Sequence, residues 1–198
     1  MFKSPHNSKP SDLREAKGGF LKDKKGIAAV EFALIVPILL LLFIGTLEIS
    51  LAVAVDRKVS RISSAVADLV AQDSDYTAAS MGQLTDIANR IMVPYDDTVK
   101  ISIVGVEIDE NGVAKVGWSF ARNGGEKPAQ GTIYPIPEPI RIEETFLVST
   151  KVTTDHSPAF SFLTFDGSTL KFDDAAIELS EQMYLRPRKA GPVTCPDC

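Results

Sequence analysis

The sequence predicts an α+β chain: one long N-terminal helix, a second helix and a four-stranded antiparallel sheet. Three observations carry this. An apolar run from Ile27 to Val55 passes without a break into apolar residues at helical spacing. Beyond Pro94 the apolar period changes from helical to two, and clusters of turn-forming residues separate the alternating segments. With 198 residues, 44% of them hydrophobic and 24% charged, the chain is long enough for one folded domain beside one special segment.

The first region, 1–26, is a basic leader. It holds seven Lys/Arg against three acids, so it carries a net +4 and leaves -9 on the rest of a chain whose total is -5. A basic end on an acidic body excludes nucleic acid as the partner of the main domain, because phosphate binding needs the positive charge where the fold is. The same asymmetry fits a membrane protein whose short basic end stays in the cytoplasm.

The second region, 27–55, is predicted to be a transmembrane helix. No charge occurs from Phe32 to Leu47, a core of about 24 Å at 1.5 Å per residue, and the whole run exceeds a hydrocarbon layer of about 30 Å. It therefore inserts in the lipid bilayer once, with everything after Val55 outside the cytoplasm. Three readings compete: a plain signal anchor, a cleaved secretory signal, and a segment cut on its cytoplasmic side. The secretory reading rests on Ala52-Val53-Ala54, but the apolar run is about twice an ordinary signal core and Glu48 interrupts it. The plain anchor leaves Glu31 unexplained, since a carboxylate at the centre of a membrane helix costs about 2.5–3.5 kcal/mol and calls for a partner. Pro37 removes one backbone donor, which membrane helices tolerate. Glu48 reads as an outer-interface residue.

The third region, 56–198, is predicted to be an α+β head. The helix continues to Gln72, with Val55, Val59, Ile62, Val66 and Leu69 on one side and Asp56, Arg57, Lys58, Ser60, Arg61 and Ser63 on the others. From Ile27 to Gln72 it would measure about 69 Å. Asp73-Ser74-Asp75 offers turn and cap chemistry for the second helix, whose inner side is Met81, Leu84, Ile87, Ala88 and Ile91. Then Val99, Ile101 and Ile103 alternate, followed in the opposite phase by Val104, Val106 and Ile108, which predicts a bulge near Ile103 or Val104. Asp109-Glu110-Asn111-Gly112 predicts a hairpin into Val116, Trp118 and Phe120. The loop from Asn123 to Pro139 ends in a stiff, extended Pro135-Ile136-Pro137-Glu138-Pro139. A third strand spans Phe146 to Val152 and a fourth Ile177 to Leu185.

Gly26 followed by Ile27-Ala28-Ala29-Val30-Glu31-Phe32 resembles the prepilin peptidase site of type IV pilins and pseudopilins: a glycine, then a glutamate as the fifth residue after the cut. The surrounding GIAAVEFALIVPILLLLFIGTLEI is similar to the opening of the TadE-like family of tight-adherence (Flp, type IVc) pilus proteins. Thr154-Asp155-His156-Ser157-Pro158-Ala159-Phe160 and Tyr184-Leu185-Arg186-Pro187-Arg188 resemble family patterns more weakly. The resemblance implies a pilin-like long helix and a pseudopilin or minor pilin of a tight-adherence system. It implies removal of the leader between Gly26 and Ile27 by a prepilin peptidase at the cytoplasmic face, with Glu31 and Phe32 as determinants of processing and assembly. The implied location is the bacterial inner membrane with a periplasmic head. The implied partners are that peptidase, other pilus subunits and pseudopilins, and the inner-membrane assembly platform. Cleavage would leave an ammonium on Ile27, which the Glu31 carboxylate one turn on can neutralise within its own chain or on a neighbouring subunit. The reading from a different class is an unprocessed, signal-anchored periplasmic binding module.

Enzymatic chemistry finds little support in the sequence. There is no phosphate-binding glycine loop, nucleophile elbow or helical zinc-protease pair. His6 lies in the leader and His156 is expected in a loop, while Asp173-Asp174 reads as turn chemistry. Cys195-Pro196-Asp197-Cys198 has redox-motif spacing without the helix context of a thioredoxin-type dithiol, and two thiols alone do not make a zinc site. In an oxidising compartment Cys195 and Cys198 are candidates for a small local disulfide, with a redox or intermolecular role as the alternative. No cofactor or metal is expected.

Overall fold

The computed structural model describes residues 24–95, 98–157, 164–166, 169–171 and 176–198. Most of the leader, with His6, and the Asp173-Asp174 pair lie outside the described residues. The chain divides into two compact units, Met1–Leu47 and Glu48–Cys198, and helix α1 (Lys24–Gln72) contributes to both. It begins three residues before the predicted Ile27 and stops at the predicted Gln72.

In the second unit, α1 and α2 (Ala78–Met92) cover one face of a sheet. The sheet has four antiparallel strands in the order β2-β1-β3-β6, namely β1 (Val99–Ile108), β2 (Ala114–Arg122), β3 (Thr145–His156) and β6 (Ile177–Leu185). A separate two-stranded hairpin, β4 (Thr164–Asp166) and β5 (Thr169–Lys171), was not foreseen. The α+β arrangement is as the sequence predicts.

The stripe of α1 is buried as its spacing requires: Val55, Val59, Ile62 and Val66 are inaccessible to solvent. At its end Val70 takes the core position instead of Leu69, which is half-buried. Ser63 enters the same interface, and its hydroxyl donates to the Thr150 carbonyl at 3.1 Å, which satisfies a polar group that burial would otherwise penalise. On α2 the buried face is Met81, Thr85, Ala88 and Met92, flanked by half-buried Leu84 and Ile91. The α2 cap is Thr77 rather than the Asp73-Ser74-Asp75 turn. Its side chain accepts from Ser80 N while the Ser80 hydroxyl accepts from Thr77 N, a reciprocal capping box.

The sheet corrects the expected bulge. Strand β1 pairs with β3 in unbroken register from Val99↔Thr154 to Ile108↔Thr145, so no residue of β1 is inserted there. Its apolar phase reverses because the two faces are covered at different ends of the strand. Val99, Ile101 and Ile103 join the core under the helices, whereas Val104, Val106 and Ile108 join a second cluster under the 123–142 loop. The irregularity falls in β2, where Gly105 pairs with Trp118 and Val106 with Val116, leaving Gly117 unpaired. That extra residue sends Trp118 to the helix side and Val116 to the loop side, so the predicted single face of Val116, Trp118 and Phe120 is split.

Asp109 closes the hairpin by accepting from Asn111 N at 3.0 Å and Val113 N at 2.9 Å, and Gly112 supplies the positive φ of 72°. The loop after β2 lies along that strand through bonds from Val116 N to Thr132 O (2.9 Å) and Tyr134 N to Ala114 O (3.0 Å). It brings Ile136 into the second cluster. Glu138–Ile140 is a 3-10 turn, so the proline run is not extended throughout.

Candidate processing and assembly site

Gly26, Ile27, Glu31 and Phe32 lie in the opening turns of α1. Ile27 and Glu31 are four residues apart and so share one helix face. Both are exposed, as are Val30, Phe32, Leu34, Ile35 and Ile38 to Phe43, which cover every side of the helix. A helix that is apolar all round and unburied is built for a non-aqueous surrounding or for other helices. Among the described residues nothing lies within 4 Å of the place a Cβ would occupy at Gly26. The fold therefore sets no packing requirement for glycine there, and glycine within a helix costs about 0.5–1 kcal/mol relative to alanine. Thr46 donates to the Leu42 carbonyl at 2.8 Å, the usual way a hydroxyl is satisfied in an apolar helix.

The other residues marked by the sequence belong to the second unit. His156 is the last residue of β3, paired with Ile177 and buried, rather than in a loop. Cys195 and Cys198 are joined, with Cα atoms 5.4 Å apart. Arg122 bridges sheet and helix, donating to Gly82 O at 2.5 Å and to Asp86 at 2.6 Å.

Two arrangements escaped the sequence reading. Lys58, assigned there to an outer face, is half-buried. Its ammonium donates to the carbonyls of Ile91 (2.9 Å), Met92 (3.4 Å) and Val93 (2.5 Å) and lies 5.1 Å from the Tyr95 ring centre. It neutralises the negative end of α2. The second is the segment after β6, which reaches back to α1, α2 and β2. Neither leaves a local signal, because the partners are tens of residues away in the chain.

These features define a class: an α+β protein whose N-terminal helix, Gly26–Gln72, is long and apolar enough to cross a membrane once, consistent with a single-pass anchor. The family model described as TadE-like protein matches residues 26–68, from the glycine through Val66 of the helical stripe in the head. The resemblance to the TadE-like family is thereby shown over that segment. None of the curated proteins and none of the solved structures compared with the chain matches it.

Proposed function

We propose that this chain is a pseudopilin or minor pilin of a tight-adherence, type IVc pilus, cut after Gly26 by a prepilin peptidase and active in assembly rather than in catalysis. The observation that carries this is the TadE-like match, which opens at Gly26 itself and covers the exposed apolar helix. In this reading 27–55 spans the inner membrane, the leader faces the cytoplasm and the head is periplasmic, as the distribution of positive charge favours. The new Ile27 ammonium and the Glu31 carboxylate meet within one chain or between neighbouring subunits, so neither is left as a lone charge in lipid. The helices of other subunits pack on the apolar surface, and the assembly platform receives the anchored chain.

Glu31→Ala tests the charge pairing. The variant is expected to insert in the membrane in wild-type amount while surface pili fall at least about tenfold, the scale of one lost charge pairing in a low-dielectric site. Electron microscopy counts the pili. Normal piliation would remove the pairing from the account.

A further inference from the structure

Residues 188–198 form a strap tied down along their length. Arg188 N donates to Ala71 O at 2.8 Å, Thr194 N to Ser74 O at 2.7 Å, and Tyr76 N to Thr194 O at 2.9 Å. The indole Nε1 of Trp118 donates to Val193 O at 2.6 Å. Val193 and Cys195 are buried in the core beneath the helices. At the far end, Ala78 N, in the first turn of α2, donates to the Asp197 carboxylate at 2.9 Å, where a negative charge suits the helix N-terminus. Lys127 Nζ donates to Cys198 O at 2.7 Å. The Cys195–Cys198 bond closes a ring around Asp197 and so restricts the backbone that presents this carboxylate.

The bond is reachable. Cys195 is 5% exposed, but Cys198 is only partly buried, and both line an open recess of about 370 Å³ together with Gly117, Trp118, Lys127 and Gln130. That volume admits a thiol-bearing side chain to Cys198 while the core shields Cys195.

We propose that Cys195–Cys198 is a thiol–disulfide exchange site that takes a dithiol as reductant, and that its reduction releases the strap from α2 and from Trp118. The attacking thiolate bonds to Cys198 Sγ, the Sγ–Sγ bond breaks, and Cys195 leaves as a thiolate that takes up the proton the attacking thiol lost. The reductant's second thiol then attacks the mixed disulfide. Cys198 is released as a thiol, the reductant becomes a disulfide, and two electrons have passed to the strap. This inference stands independently of the pilus reading.

The test uses the full chain in detergent micelles treated with dithiothreitol. Trp118 is the single tryptophan of the sequence, so its fluorescence reports on the strap. Two thiols are expected to titrate per chain, and Trp118 emission is expected to move to longer wavelength. Hydrogen exchange at Tyr76, Ala78 and Thr194 is expected to quicken about tenfold, the scale that loop closure gives for so short a ring. The amides of β1 and β3 stay unchanged. Two titrated thiols with unchanged emission and exchange would overturn strap release. A bond that yields no thiols until the sheet unfolds would overturn the exchange site. Cys198→Ser leaves the buried Cys195 in place and is expected to show the released signature without reductant; the tied signature in that variant would likewise overturn the proposal.

Discussion

At Asp73 one carboxylate gathers two donors, Lys189 Nζ at 2.6 Å and Ser74 N at 2.9 Å. The Lys189 hydrogen bond chiefly, then the Ser74 amide and the Lys189 charge, hold its pKa below the ordinary 3.8. A depressed carboxylate contributes stability that is fully present above the unfolded value and is lost as pH falls through the folded one. Acidification from pH 5 to below about 3.8 should therefore loosen the strap, read as faster hydrogen exchange at Thr194 and Tyr76. Asp73→Asn should flatten that dependence, and added salt should shrink it, because the pair is exposed. A variant with undiminished pH dependence would assign the effect elsewhere. Asp73 was legible only as a turn residue. Its partner lies 116 positions away, and no local pattern encodes that distance.

Among the elements, the helices were the most legible and the sheet faces the least. A helix buries one stripe, so the spacing of Val55, Val59, Ile62 and Val66 reports the core directly. In β1 the same inference failed, because a strand covered on both faces at different ends looks like a strand with a bulge. The real bulge at Gly117 faces the step between Gly105 and Val106, and the Glu107 carboxylate occupies the space a side chain there would need. Gly105 shows a related constraint, since a Cβ at that position would overlap the Trp118 indole and come within 2.8 Å of Phe146 Cζ. Gly105→Ala should consequently destabilise the head by about 1–3 kcal/mol through overpacking, measured by thermal or denaturant unfolding. A wild-type midpoint in this variant would mean that Trp118 is free to move, contrary to its buried hydrogen bond with Val193.

For the molecule as a whole, the division of charge and hydropathy was plain in the sequence: a basic leader, an exposed apolar helix and an acidic head. Those properties add over many residues, so single misreadings do not disturb them. The resemblance to the TadE-like family was equally legible because its signal is local, a glycine and a glutamate five residues apart at the start of an apolar helix. The strap was not, since it depends on the finished fold bringing 188–198 to Ala71, Ser74 and Trp118. The central claim of this account is that the chain is cut after Gly26 before it acts in assembly. N-terminal sequencing of the protein purified from membranes of a host that retains its prepilin peptidase tests it most directly. The account predicts a first residue of Ile27, followed by Ala28-Ala29-Val30-Glu31. A protein beginning at Met1 or Phe2 would contradict it and leave an uncut signal anchor carrying a periplasmic binding module.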